Sequence, residues 1–334
     1  MNDNVKTILC KVIGSPKMGM GHIYRSLGLA RILEKEFKVI FHINNNAGLS
    51  KILKEQCITY FVDENIEELV SKQEVDLLLF DQLSSDNGLF ETLKSHFSHL
   101  KIIALDYFDY DNRFIDVIIN LFNQNLNDSM PIRDNLQYYE GTEYAIIRDE
   151  FNKHIVDRRN ISPEVKNVLI TFGGADPNGN TKKVLQLFKD TGIPDINIDV
   201  ILGPLWRSEL PQDLPSNIRF HHSISNMSYY MTRADLAFSG AGTTMMELLS
   251  VGTPTIVMPQ NLWEKRFARN IEEKGAVRVL NYESPIKEDV GDFFYLTNSY
   301  EKRKSLSQKG KTLVDGRGKE RIYKIIYNNL YNGE

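Results

Sequence analysis

Three short stretches carry the residue types and spacings that can do chemistry. In VIGSPKMGMGHIYRS, Gly19 and Gly21 stand just before His22, and Arg25 follows three residues later, on the same face of a helix. In LITFGGADPNGNT, Gly173 and Gly174 end a β-rich run, and Asp176, Asn178 or Asn180 can cap the helix that follows. In FSGAGTTMMELLSVGTPTIVMP, Gly240 and Gly242 precede Thr243, Thr244 and Glu247. Glycine lets a backbone approach a ligand closely, and unpaired N–H groups at a helix start attract an anion. A single G-x-G after a strand is as often a plain tight turn. Three of them, each ending a strand and feeding a helix, point to an anionic ligand such as a diphosphate. None completes G-x-G-x-x-G and none ends in Lys-Ser/Thr, which tells against nicotinamide-dinucleotide and P-loop chemistry.

Breaking a bond to a bound diphosphate would need an attacking oxygen, a route for its proton and stabilisation of the departing charge. A neutral His22 can accept a proton from water or a sugar hydroxyl; the plainer role is to cap its helix or bind a phosphate oxygen. Glu247, one turn into its helix, can accept hydrogen bonds from adjacent ribose hydroxyls while Thr243 and Thr244 meet phosphate. The plainer reading is a Glu favoured by the helix dipole. Arg25 and one of Lys265, Arg266 and Arg269 can add positive charge to the diphosphate; the alternative for Arg25 is a surface ion pair. Asp109-Tyr110-Asp111 is the one candidate metal motif, and it lies far along the chain from the nucleotide turns. His221–His222, His96 and His99 lack further ligands at zinc spacing. No metal and no cofactor is expected.

The elements that must position these residues alternate. Short β-rich runs cover Thr7–Ile13, Val39–Ile43, Ile58–Val62, Leu77–Phe80, Lys101–Leu105 and Val117–Asn120, with helical periodicity between them. The rhythm breaks over the charged, proline-containing stretch around Asp149–Glu164. It restarts with Val168–Phe172, a helix over Thr181–Lys189, Ile198–Leu202, Ile218–His221, a helix over Ser225–Ala234, Leu236–Ser239, a helix over Thr243–Ser250 and Thr255–Met258. For 334 residues two domains are the natural expectation. The fold class expected is α/β, two Rossmann-like domains with parallel sheets facing across a cleft. The expected boundaries are 1–150 for the His22 and sugar side, 151–164 for a linker, 165–315 for the nucleotide side, and 316–334 for a last helix packing back on the first domain.

The net charge of −4 gives no basic face for nucleic acid. The two cysteines, Cys10 and Cys57, sit in apolar runs, read as buried, and form no C-x-x-C pair. The N-terminus has no signal-peptide pattern and no stretch is long and apolar enough to span a bilayer, so a cytoplasmic protein is expected. Nothing in the residues sets the oligomeric state; a monomer is the working expectation.

The segments GMGHIYRSLGLAR, YAIIRDEF, TFGGADP and SNMSYYMTRADLAFSGAGTTMMELLSVGTP resemble the PseG/SpsG family, over nearly the whole chain. Those are UDP-sugar hydrolases of pseudaminic acid biosynthesis and their spore-coat polysaccharide relatives, distant kin of the MurG glycosyltransferases with the GT-B architecture. The resemblance implies release of UDP from UDP-2,4-diacetamido-2,4,6-trideoxy-β-L-altropyranose or a similar sugar, with His22 catalytic. It also implies that Gly173, Gly174, Asp176, Thr243, Thr244 and Glu247 hold the nucleotide. The chain departs from the family pattern at Leu83, beyond Asp81, at Asp106–Tyr107, and at Asn261 or Asn270. These departures fall on the sugar and acceptor side. A GT-B glycosyltransferase using a UDP- or CMP-sugar donor and a hydroxyl acceptor is the competing reading, and a nucleotide-sugar binding module without turnover is the third.

Overall fold

The computed structural model describes residues 5–13, 21–82, 88–108, 112–120, 134–155, 159–191, 196–222, 224–280 and 286–331. The chain divides into two compact units, Met1–Ile146 with Arg317–Glu334, and Ile147–Gly316.

The first unit runs β1 (Thr7–Val12), α1 (Gly21–Leu33), β2 (Lys38–Ile43), α2 (Ala47–Glu55), β3 (Tyr60–Val62), α3 (Ile66–Lys72), β4 (Leu77–Asp81), α4 (Leu89–His96), β5 (Lys101–Leu105), β6 (Val117–Asn120) and β7 (Gln137–Glu140). Its strands are parallel, in the order β3-β2-β1-β4-β5-β6-β7. Leu77–Asp81 reads LLLFD and is buried throughout, the continuous apolar run that a parallel sheet covered on both faces demands. Asn46 and Asn65 start α2 and α3 by accepting two backbone N–H bonds each. Phe80, Phe90 and Tyr107 pack edge to face, with centroids 4.9, 5.9 and 5.7 Å apart.

The second unit runs α5 (Asn152–Ile155), β8 (Asn167–Thr171), α6 (Asn180–Thr191), β9 (Asn197–Leu202), β10 (Ile218–His222), α7 (Met227–Arg233), β11 (Leu236–Ser239), α8 (Thr243–Ser250), β12 (Thr255–Val257), α9 (Leu262–Glu273), β13 (Arg278–Val279), α10 (Ile286–Asn298) and α11 (Tyr300–Leu313). The strand order β10-β9-β8-β11-β12-β13 repeats that of the first six strands of the other sheet. Phe188, Phe238 and Phe293 anchor its core. The chain then returns to the first unit as α12 (Gly318–Tyr331), which packs along α1.

Three expectations are corrected. The stretch 151–164 is not a free linker: Phe151 is fully buried, and the carbonyls of Ser162 and Pro163 each accept from Arg303 at 2.8 Å. The same buried guanidinium donates to Leu296 and Thr297 at the end of α10, so a segment that looks solvated by composition is tied down through its backbone. Cys57 is exposed, in a left-handed turn (φ 57°) just beyond α2, whereas Cys10 is buried in β1. The edge strands β7 and β13 lie outside the expected set; β7 is QYYE with no buried residue, and β13 has two residues. Among the described residues no helix is long and apolar enough to cross a membrane.

Gly318 opens α12 against the backbone of Tyr144 and Ala145, and a Cβ there would lie 2.2 Å from the Ala145 carbonyl oxygen. Gly318→Ala should therefore lift α12 and cost about 1–3 kcal/mol. Differential scanning calorimetry checks this: a fall of several degrees is expected, and a midpoint within about 1 °C of wild type would refute the close-packing account.

Candidate active site

In the first unit the chain order reverses between the adjacent strands β1 and β4, the place where open α/β sheets bind ligands beyond their strand ends. His22 and Arg25 arrive there on the first turns of α1, Asp81 ends β4, and Asp106 follows β5. His22 Nδ1 lies 2.7 Å from Asp81 Oδ1. Arg25 Nε spans both Asp81 oxygens at 3.1 and 3.0 Å, its second terminal nitrogen also pairs with Asp81, and the first pairs with Asp106. Ser26 Oγ donates to Asp81 Oδ2 at 2.6 Å. Arg25, Asp81 and Asp106 are buried, while His22 keeps 14 % of its side chain exposed and carries the cluster to the surface. Asp106 sits at φ 50°, a left-handed conformation that Asp tolerates better than most residues.

Burial pushes the Asp81 carboxyl up, but Arg25 and His22 outweigh it and hold it well below the usual carboxylate range. Burial also opposes the charge on Arg25, and Asp81 with Asp106 outweighs that in turn. An ionised Asp81 can only accept, so its hydrogen bond to His22 places the ring proton on Nδ1 and leaves the Nε2 lone pair free to take another. Arg25 NH2 lies 3.0 Å from the same Nδ1, held there by the shared acceptor Asp81.

The arrangement reassigns two residues. Arg25 was expected to meet the diphosphate, yet all three of its nitrogens are committed to Asp81 and Asp106, because two buried carboxylates need a cation more than an exposed anion does. Tyr107 was assigned to the sugar side; it is 2 % exposed and its ring belongs to the core trio with Phe80 and Phe90. Gly21 opens α1. Gly19, Leu83, Asp109, Tyr110 and Asp111 lie outside the described residues.

In the second unit the order reverses between β8 and β11, and both glycine turns leave from there. Gly173 faces Thr244, whose Oγ1 would lie 3.8 Å from a Cβ at that glycine. Gly203, after β9, packs on the same turn, and a Cβ there would meet the carbonyl oxygens of Gly173 and Gly174 at 2.3 and 2.4 Å. Asp176 caps α6, accepting from the N–H groups of Asn180 and Thr181 at 2.8 Å each, so its carboxylate is spent on the helix. Gly242 precedes α8, which has no side-chain cap among the described residues, so its first-turn N–H groups beside Thr243 and Thr244 are of the kind that attract an anion. Asn261 caps α9 by accepting from Glu264 N–H at 2.8 Å. Thr171 Oγ1, Ser239 Oγ, Gln260 Oε1 and Asn270 Oδ1 are buried without a hydrogen-bond partner among the described residues. Thr171 and Ser239 are register partners at the ends of β8 and β11, and such unmet polar atoms call for a ligand or water. Arg269 is paired with Glu272 at 2.5 Å, away from any diphosphate role.

Glu247 is 6 % exposed and already has a partner. Arg148 grips it through Nε at 2.5 Å and NH2 at 2.8 Å, and donates through NH1 to Glu150 at 2.9 Å. Burial raises the Glu247 carboxyl, Arg148 lowers it, and Glu150 raises it again, for a net upward shift. Sequence reasoning missed Arg148 and Ser26, although Arg148 lies within the YAIIRDEF segment.

This is the GT-B fold: the acinetobacter baumannii MurG structure superposes with a TM-score of 0.64 at 14% identity, covering 97% of this chain and 99% of that one. The model of the "Glycosyltransferase family 28 C-terminal domain" matches residues 168–312. "Spore coat polysaccharide biosynthesis protein SpsG" of Bacillus subtilis is 24% identical over 96% of this chain and 97% of its own length. "Pseudaminic acid cytidylyltransferase and UDP-2,4-diacetamido-2,4,6-trideoxy-beta-L-altropyranose hydrolase" of Helicobacter pylori is 24% identical over 72% of this chain and 42% of its own length. "Uncharacterized protein MJ1062" of Methanocaldococcus jannaschii is 30% identical over 96% of this chain, which spans 65% of that protein's length. The chain is thus similar to PseG/SpsG-type proteins over most of its length, and its fold is GT-B.

Arg25→Met tests the ionic account of the buried cluster. Removing the cation strands two buried carboxylates and should cost about 3–5 kcal/mol at pH 8. In the wild type the folded Asp81 carboxyl lies below its unfolded value, so its stabilisation is present above the unfolded carboxylate range, about pH 4, and is lost only as pH falls through the folded value. In the variant burial acts without the arginine and raises the carboxyl, so stability should rise as pH is lowered from about 8 to 5. Thermal melts at both pH values check this, and an equal loss at each would sink the ionic account.

Proposed function

We propose that the chain acts on a nucleotide sugar as a hydrolase, releasing UDP from a UDP-linked diacetamido-trideoxy sugar with water attack assisted by His22. The observation that carries this is the 2.7 Å contact between His22 Nδ1 and an ionised, buried Asp81, which leaves Nε2 as a base at the exposed edge of the cluster. Nε2 takes a proton from water as the water oxygen bonds to the anomeric carbon. The bond from that carbon to the diphosphate oxygen breaks, and its electron pair leaves with UDP. Arg25, Ser26 and Asp106 act by positioning: Arg25 keeps Asp81 ionised, Ser26 orients it, and Asp106 holds Arg25 in place. In the second unit the start of α8, with Thr243 and Thr244, receives the phosphate charge, and Gly173, Gly174 and Asn270 complete the nucleotide side. Asp81 thus belongs to the catalytic apparatus, and Asn261 shapes the start of α9. The similarity to a spore coat polysaccharide biosynthesis protein of Bacillus subtilis and to a Helicobacter pylori protein named in part for UDP-sugar hydrolysis supports the reading.

The match of residues 168–312 to a glycosyltransferase domain favours a second reading, in which the same base takes the proton of an acceptor hydroxyl.

Incubation with UDP-2,4-diacetamido-2,4,6-trideoxy-β-L-altropyranose and a panel of UDP- and CMP-sugars, followed by assay of free nucleotide, separates the two. Hydrolysis predicts release without any acceptor, reduced about 10²–10⁴-fold in His22→Ala. Asp81→Asn should also lower kcat strongly while changing KM little, because the amide can present its N–H to Nδ1 and favour the wrong tautomer. Nucleotide binding with release only on addition of a hydroxyl acceptor would replace the hydrolase by the transferase. Full acceptor-free activity in His22→Ala would remove His22 from the mechanism.

A further inference from the structure

We infer that Arg148 couples recognition of the ribose to recognition of the phosphates, by holding Glu247 until a nucleotide supplies a substitute partner for each. This rests on the nucleotide reading above and adds a residue that the reading does not use. Glu247 is the carboxylate placed to receive a ribose diol, yet a two-pronged donor already occupies both of its oxygens, at 2.5 and 2.8 Å. A vicinal diol would present the same two-donor geometry to the same two oxygens, so diol and guanidinium compete. The guanidinium cannot shed its charge by losing a proton, so the two nitrogens that a diol displaces from Glu247 still call for an acceptor.

Its surroundings favour a swing over a loss. NH1 stays on Glu150, and Glu150 Oε2 is itself fixed by the Ser228 N–H at 3.0 Å, at the start of α7. The Arg148 guanidinium also lies over the Phe151 ring, 5.4 Å from its centroid, and the side chain is 30% exposed. Nε and NH2 are therefore the nitrogens released when a diol takes Glu247, and a phosphate is the ligand that suits a released fork. A nucleoside alone displaces Arg148 and gives it nothing; a nucleoside diphosphate provides for both groups. The affinity gap between the two ligands should exceed what direct phosphate contacts alone provide.

Calorimetric or NMR titration of the full chain with uridine and with UDP tests this on wild type, Arg148→Gln and Arg148→Lys. In Arg148→Gln the UDP affinity should fall about tenfold or more while uridine binds equally well or more tightly, because Glu247 is no longer held. Arg148→Lys keeps the charge without the fork and should retain most of the UDP preference, with uridine affinity unchanged or higher. Equal weakening of uridine and UDP in both variants, at an unchanged thermal midpoint, would make Arg148 a brace for Glu247 and overturn the coupling. Should Arg148→Gln fail to fold, the Arg148→Lys pattern decides in the same way. A wild type that binds no UDP would overturn the nucleotide reading and this inference with it; a wild type that binds UDP with uniform variant effects would overturn only the inference.

Discussion

Asp81 and Asp106 end up at neighbouring strand ends, both buried, and Arg25 is the cation between them. Taking each of these charges out of water costs several kcal/mol, and the cluster is tolerable only because every oxygen of Asp81 meets a donor. Without the guanidinium, burial would favour a protonated Asp81, and a protonated carboxyl is no longer bound to accept from the imidazole. The ionisation of Asp81, the tautomer of His22 and the seating of the first turn of α1 are thus one linked condition. That explains why Arg25, three residues on from the partly exposed His22, faces inward.

The two units share a strand order and use its reversal point in opposite ways. In the first, charged side chains gather beyond β1 and β4 and neutralise one another. In the second, the ends of β8 and β11 carry glycine turns, an uncapped helix start and buried hydroxyls without partners. A preorganised set of N–H and O–H groups suits a diphosphate, whose charge is fixed and spread over several oxygens. The first set suits a proton in transit, which needs one base held in one tautomer.

Much of this was legible in the residues. Continuous apolar runs such as LLLFD and VLIT leave few alternatives to buried parallel strands, and the glycine turns mark their carboxyl ends. His22 stood out by its place behind Gly21. Asp81 and Asp106 read as sugar-side residues and not as its partners, because they are 59 and 84 positions away and only the parallel register of β1, β4 and β5 brings them alongside. Arg25 was visible but misassigned: spacing shows which face of a helix a residue shares and says nothing of which anions wait there. Tyr107 is misjudged similarly, since it completes an aromatic core, whereas Asp176 makes the helix cap that its sequence position offers. The edge strand QYYE escapes notice because, short and only half-buried at the sheet rim, it has no apolar alternation to betray it.

Asp81 and Glu247 each face an arginine from a buried position, and the contrast between them divides permanent structure from an exchangeable contact. Arg25 is enclosed and, with His22, outweighs the burial of Asp81, so its carboxyl is driven below the usual range. Arg148 is partly exposed and shared with Glu150, so burial prevails at Glu247 and its carboxyl is shifted up. A raised carboxyl in the folded state means that keeping Glu247 charged disfavours the fold as pH rises toward that value, a cost the free protein carries. New donors that supplement or replace Arg148 relieve it. Asp81 has nothing to gain from a newcomer, whereas Glu247 does, and that difference in residual demand separates a carboxylate fixed in structure from one still open to further donors.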